Sequence, residues 1–170
     1  MASYDIAQYL LDRANIHDTI VKVPIYYDTA DLPNLSGLYA PYVEIDYTAI
    51  IGGSPYTISR ADWVERVGGL LEKYSATQHV TSGIIANLPQ PTANATRPEK
   101  VTVQAQVAGH MVGVSESGSD GVVSLTQNGG LLEAELQRDT ELENQGQNPW
   151  RITKYKVSKK WAKADTTRSS

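Results

Sequence analysis

Cysteine and phenylalanine are both absent from the 170-residue chain. Without cysteine there can be no disulfide, no thiolate metal site and no cysteine nucleophile. Without phenylalanine, aromatic volume must come from ten tyrosines and three tryptophans, rings whose polar handles usually need a partner when buried. No stretch approaches the roughly 18 apolar residues of a transmembrane helix. The opening Met-Ala-Ser-Tyr-Asp has no basic segment running into an apolar one. The expectation is therefore a cytoplasmic protein with no membrane partner. GxGxxG, P-loop, GxSxG and HExxH patterns are also missing, so dinucleotide, nucleotide, serine-hydrolase and zinc-protease readings lack their usual anchors.

Apolar residues make up 41% of the chain and charged residues 20%, an ordinary globular mixture that argues against disorder. Length points to a single domain, expected over 1–165 with a flexible tail at 166–170. Charge is unevenly placed. From Trp150 onward there are seven basic residues and one acid, which leaves eight basic against eighteen acidic residues before it. Little aromatic interleaving accompanies this basic end, so nucleic acid is not an expected partner, and its lysines can instead balance the preceding acids.

Ile6, Leu10, Arg13, His17, Ile20, Val23 and Tyr27 recur at steps of three and four, which predicts a first helix. Pro24 inside it should kink or split it. Asp31 to Ala40 reads as a second helix and Tyr42 to Ile51 as a strand, closed by Gly52-Gly53-Ser54-Pro55. Ser59 and Asp62 resemble a capping box ahead of a third helix carrying Trp63, Val67, Leu70, Leu71 and Tyr74. Beyond it lie five β-like runs, Thr77–Leu88, Lys100–Val114, Val122–Gln127, Leu131–Arg138 and Arg151–Trp161, whose connections are rich in Pro, Gly, Asn and Ser, notably Pro89 to Pro98, Ser115 to Gly121 and Glu141 to Pro149. Helices first and long antiparallel strands afterwards predict an α+β domain, a strongly curved sheet wrapped around N-terminal helices with a pocket between the layers.

The residues available for proton chemistry are the histidines, acids and tyrosines. His79 falls near the start of the first long strand and His110 towards the end of the next. A carboxylate such as Asp28 can orient an imidazole, and a hydroxyl such as that of Tyr27 can polarise a carbonyl. Each residue also has a plain structural reading, in packing, a turn or a solvated face. Two histidines with a carboxylate could in principle bind a metal, but no short ligand spacing supports that, and no metal or other cofactor is expected.

Tyr27-Asp28-Thr29-Ala30-Asp31, Leu38-Tyr39-Ala40-Pro41, Ile45-Asp46-Tyr47 and Thr77-Gln78-His79, in this order and spacing, resemble the scytalone dehydratase-like branch of the SnoaL-like family, within the nuclear-transport-factor-2-like superfamily. Trp150-Arg151 to Trp161 resembles the family's last strand. The resemblance implies a cone-shaped α+β barrel with one deep pocket and catalysis without metal or organic cofactor. Position by position it implies catalytic roles for Tyr27, Asp28, Tyr47 and His79, with His110 as the second histidine. Trp63 and Glu133 are expected to contact the substrate. The implied activity is a dehydratase, isomerase or cyclase acting on a hydrophobic polyketide- or terpenoid-like intermediate, in a homo-oligomer. A cyclase that works mainly by shaping its substrate and a non-catalytic binding or assembly module are the alternatives.

Overall fold

The computed structural model describes residues 4–92, 94–113 and 122–168. Within them the chain runs α1 (Ile6–Asp28), α2 (Leu32–Ser36), β1 (Tyr39–Asp46), α3 (Thr48–Ile51), β2 (Tyr56–Ser59), α4 (Arg60–Leu71), β3 (Tyr74–Ala86), β4 (Lys100–Gly113), β5 (Val122–Arg138), α5 (Thr140–Asn144) and β6 (Trp150–Arg168). The strands form one sheet in the order β2-β1-β6-β5-β4-β3. Only the β1–β6 pair is parallel. The α+β fold is the expected one, N-terminal helices followed by a mostly antiparallel sheet, which is open with β2 and β3 as its edges.

Asp5 starts α1 by accepting a hydrogen bond from the Gln8 amide at 2.8 Å, one of the donors a helix N-terminus leaves unsatisfied. The helix buries Ile16, Ile20 and Val23 against the sheet, each side chain contributing about 1.5–3 kcal/mol by leaving water. Pro24 does not split it. This proline removes one backbone bond late in the helix, and both Val23 and Pro24 are buried, so packing outweighs the local loss. Ser59 caps α4 as expected, accepting from the Asp62 amide at 3.1 Å.

Several elements differ from the periodicity reading. The second helix is only Leu32–Ser36, because Leu38 and Tyr39 are drawn into the core and β1 begins there. Val122–Gln127 and Leu131–Arg138 are halves of one strand, continuous through Gly129-Gly130. The segment read as connection after Arg138 contains α5, capped by Asp139 through the amides of Glu141 and Leu142. Ser115 to Gly121, read as a loop, lies outside the described residues.

At the start of α1 a polar cluster fastens helix to sheet. Asp12 is fully buried and takes both Nε and Nη2 of Arg97, at 2.9 and 2.7 Å, together with Trp150 Nε1 at 3.0 Å. Arg97 continues to Glu143, which is also held by Arg138 at 2.8 Å. The Asp12 bond, more than any other contact, holds the Arg97 guanidinium above its ordinary pKa. Removing one member of a buried ion pair leaves the other charge uncompensated. Asp12→Ala should therefore lower unfolding stability by about 3–5 kcal/mol in urea titration at pH 7, whereas a loss below about 1 kcal/mol would mean that water replaces the carboxylate.

Candidate active site

Between the helices and one face of the sheet lies a cavity of about 220 Å³. Its floor follows from strand alternation. Val101, Val103 and Ala105 of β4 point into the core, and Val107, Gly109 and Met111 continue the same face into the cavity. Val23 and Tyr27 of α1, Tyr47, Trp63 of α4, and Tyr155 and Val157 of β6 complete much of the wall.

His79 enters from β3 and is held by the last residue of α1. Asp28 Oδ1 lies 2.7 Å from His79 Nδ1 and accepts a 2.8 Å bond from Thr77 Oγ1, while Asp28 Oδ2 accepts from the His79 backbone amide. An ionised carboxylate only accepts, so Nδ1 carries the hydrogen and Nε2 offers the lone pair. The Tyr27 ring meets the imidazole edge-on, with centroids 4.9 Å apart. This assembly is the orienter-and-base arrangement of general acid–base chemistry.

Beneath the imidazole the strand carries no side chain. A Cβ added to Gly109 would stand 2.9 Å from His79 Cδ2, 3.1 Å from His79 Nε2 and 3.2 Å from Asn128 Oδ1. Gly109 pairs directly with both residues, His79 on β3 and Asn128 on β5. Asn128 thus stands across from the imidazole and lines the cavity. It was missed because Asn128-Gly129-Gly130 reads as a break between strands. Thr77 belonged to a recognised motif, but its bond to Asp28 depends on a contact 49 residues apart in sequence.

Tyr47 and Trp63 both line the cavity, stacked with centroids 5.7 Å apart, and Tyr47 also contacts Tyr155. The structure therefore brings Tyr27, Asp28, Tyr47, Trp63 and His79 to one place. It does not bring His110 or Glu133. His110 pairs with Gln78, one residue from the His79–Gly109 pair, and alternation turns it to the other face. Glu133, next to buried Leu132 and Ala134, ion-pairs with Lys156 at 2.8 Å away from the cavity. Lys154–Glu44 and, from β4, Lys100–Glu135 extend this acid–base ladder, so that Lys154 and Lys156 of β6 balance acids on neighbouring strands.

Burial pushes the Tyr27 hydroxyl up to about 12, with the Tyr74 and Asp28 charges adding to it. Burial likewise raises Tyr39, Tyr47 and Tyr155. These hydroxyls are donors at neutral pH. Among the described residues no group of three or more metal-ligating side chains converges, and no helix is long and apolar enough to cross a membrane.

A SnoaL-like domain profile matches residues 8–156. Among solved structures, the chain is similar to the Kfla4162 protein from Kribbella flavida, at 19% identity and a TM-score of 0.74, covering 89% of this chain and 93% of that one. It is also similar to a scytalone dehydratase candidate from Novosphingobium aromaticivorans DSM 12444, at 14% identity and a TM-score of 0.67, with 95% and 93% covered. A type 2 hexachlorocyclohexane dehydrochlorinase (LinA) shares 18% identity at a TM-score of 0.63, with 95% and 91% covered. At these identities the likeness carries the fold. Comparison with curated protein sequences gives no match.

Two outcomes follow from this geometry. Gly109→Ala should displace the imidazole by a few tenths of an ångström while the fold persists, seen as shifted His79 ring resonances in NMR; unchanged resonances would show that the ring does not rest on this strand. The buried tyrosines make stability fully present below their unfolded pKa near 10 and lost as pH rises through their higher folded values, with a slope of about 1.4 kcal/mol per pH unit for each fully shielded ring. Melting temperature should fall between pH 10 and 12 as the 295 nm absorbance of tyrosinate rises, and a flat profile would contradict the burial.

Proposed function

This chain belongs to the SnoaL-like domain family, and from that premise we propose that it is a cofactor-independent lyase or isomerase, moving a proton on an apolar, oxygenated intermediate of polyketide or terpenoid type. The observation that carries this reading is the Asp28–His79 pair, set at the edge of a cavity walled largely by apolar side chains.

In the proposed reaction, His79 Nε2 removes a proton from the carbon beside a carbonyl. The imidazolium that results is stabilised by Asp28 through Nδ1–H, and Thr77 keeps the carboxylate in place. Negative charge moves to the carbonyl oxygen, where the protonated hydroxyls of Tyr27 and Tyr47 and the amide of Asn128 are the available donors. If the imidazolium returns its proton to a departing β-hydroxyl, the product is the dehydrated enone and water. Return to a different carbon gives an isomer, and attack of the enolate on a second carbonyl gives a ring. The apolar side chains of the cavity wall, Val23, Val107 and Val157 among them, lower the local dielectric and strengthen each of these interactions.

Deprotonation can be read before the natural substrate is known. 2-Tetralone, a compact bicyclic ketone, should exchange its α-protons in D2O faster with the protein than with buffer alone, as followed by NMR. His79→Gln should reduce the protein-dependent rate by roughly 10²–10⁴-fold and Asp28→Asn by about tenfold or more, with circular dichroism unchanged. Near-full exchange by folded His79→Gln would sink the proposal and favour a cavity that acts by shaping its ligand; no exchange above buffer by the wild-type protein would favour a binding module.

A further inference from the structure

We propose that the ligand of this cavity carries a carboxylate, and that Arg66 at the cavity mouth recognises it. The inference deepens the proposed function and rests on its assignment of the cavity as the reaction site. Ile51 and Leu70 both line the cavity yet are 71% and 37% exposed, so the side formed by α3 and α4 is where it opens. Arg66, one turn before Leu70, is exposed and lines the same side.

Three observations set Arg66 apart from a solvated surface cation. First, it is the one permanently charged side chain among the residues that line the cavity. Second, its guanidinium lies 5.1 Å from the centre of the Tyr56 ring, a cation–π contact that restrains a long, otherwise mobile side chain. Third, Arg66 makes no ion pair among the described residues, although the whole chain carries a net charge of −4. Asp62, one turn earlier on α4, is engaged by Ser59 Oγ at 2.7 Å. Tyr56 adds a fourth: its hydroxyl is buried and has no hydrogen-bond partner among the described residues, an unmet donor beside the cation.

A guanidinium fork matches the two oxygens of a carboxylate. A single cation balances a single negative charge, which favours a carboxylate over a phosphate dianion. The ligand is thus amphipathic: an apolar, oxygenated body in the cavity, with its reacting carbon near His79, and an acid group at the opening. Electrostatic attraction there would draw such a ligand in by the correct end.

The test uses three probes on the same ring system: 2-naphthoate, 2-naphthamide and 2-naphthyl phosphate, with affinities measured by calorimetric titration of the full chain. Wild-type protein should bind the carboxylate about tenfold more tightly than the neutral amide, and the phosphate no more tightly than the carboxylate. In Arg66→Gln the carboxylate advantage should vanish while amide affinity stays within about twofold; Arg66→Lys should keep part of the advantage, since charge survives and the fork does not. Equal affinity for carboxylate and amide in the wild type, or an advantage that persists in Arg66→Gln, would overturn the proposal. A strong preference for the phosphate would overturn the choice of carboxylate. His79→Gln separates this inference from the reaction it rests on, because that variant should keep the carboxylate advantage while losing 2-tetralone exchange. Exchange without carboxylate preference defeats the role of Arg66 alone, and preference without any exchange in the wild type defeats the catalytic reading alone.

Discussion

Helix α1 is fastened to the sheet by a carboxylate near each end, and the shape of the cavity depends on that double attachment. Asp12 binds it to Arg97 and Trp150, and Asp28 binds it to Thr77 and His79. Between the two, Ile16, Ile20 and Val23 supply the apolar contact. Hydrophobic packing alone is tolerant of small rotations and slides; charged hydrogen bonds with fixed directions are not. The two carboxylates therefore set the register of α1 over the sheet, and with it the position of Tyr27 over the imidazole.

The two ends do different work with the same chemical group. Asp12 is shut off from water and held by the Arg97 guanidinium and an indole N–H, so it holds the fold. Asp28 is partly exposed and shares a bond with a histidine whose second nitrogen is free for chemistry. Tyrosine shows the same division. Tyr39 is a core ring and Tyr155 a core ring that also reaches the cavity wall, whereas Tyr27 and Tyr47 line the cavity with hydroxyls that burial keeps protonated. A chain without phenylalanine uses one residue type for both purposes.

The helical and strand periods exposed most of this fold. The stripe from Ile6 to Tyr27 and the capping signal at Ser59 located α1 and α4, and the resemblance around Tyr27-Asp28 and Thr77-Gln78-His79 located the pair that the structure joins. What escaped reading depends on register. Whether His79 or His110 faces the cavity is decided by which residue lies opposite Gly109, and the long connection after Ala86 hides that from the sequence. Once the register is fixed, a one-residue offset sends His110 and Glu133 to the other face. Asn128 was hidden for a different reason, since two glycines inside a strand look like a turn until their neighbours are known. Gly130 in particular leaves no room for a side chain, because the Ser158 carbonyl oxygen occupies the place where a Cβ would stand.

The Asp28 carboxylate is at once the clamp on the end of α1 and the partner of the imidazole, so these two duties cannot be altered separately. A substitution there acts on the seating of the helix end and on the orientation of the imidazole together. The opposite wall is under no such obligation: α3 is a single turn, and Ile51, Leu70 and Arg66 meet solvent on one side and the cavity on the other. Side chains on that wall can therefore change in size and charge while the Asp28–His79 pair, anchored on α1 and β3, stays as it is.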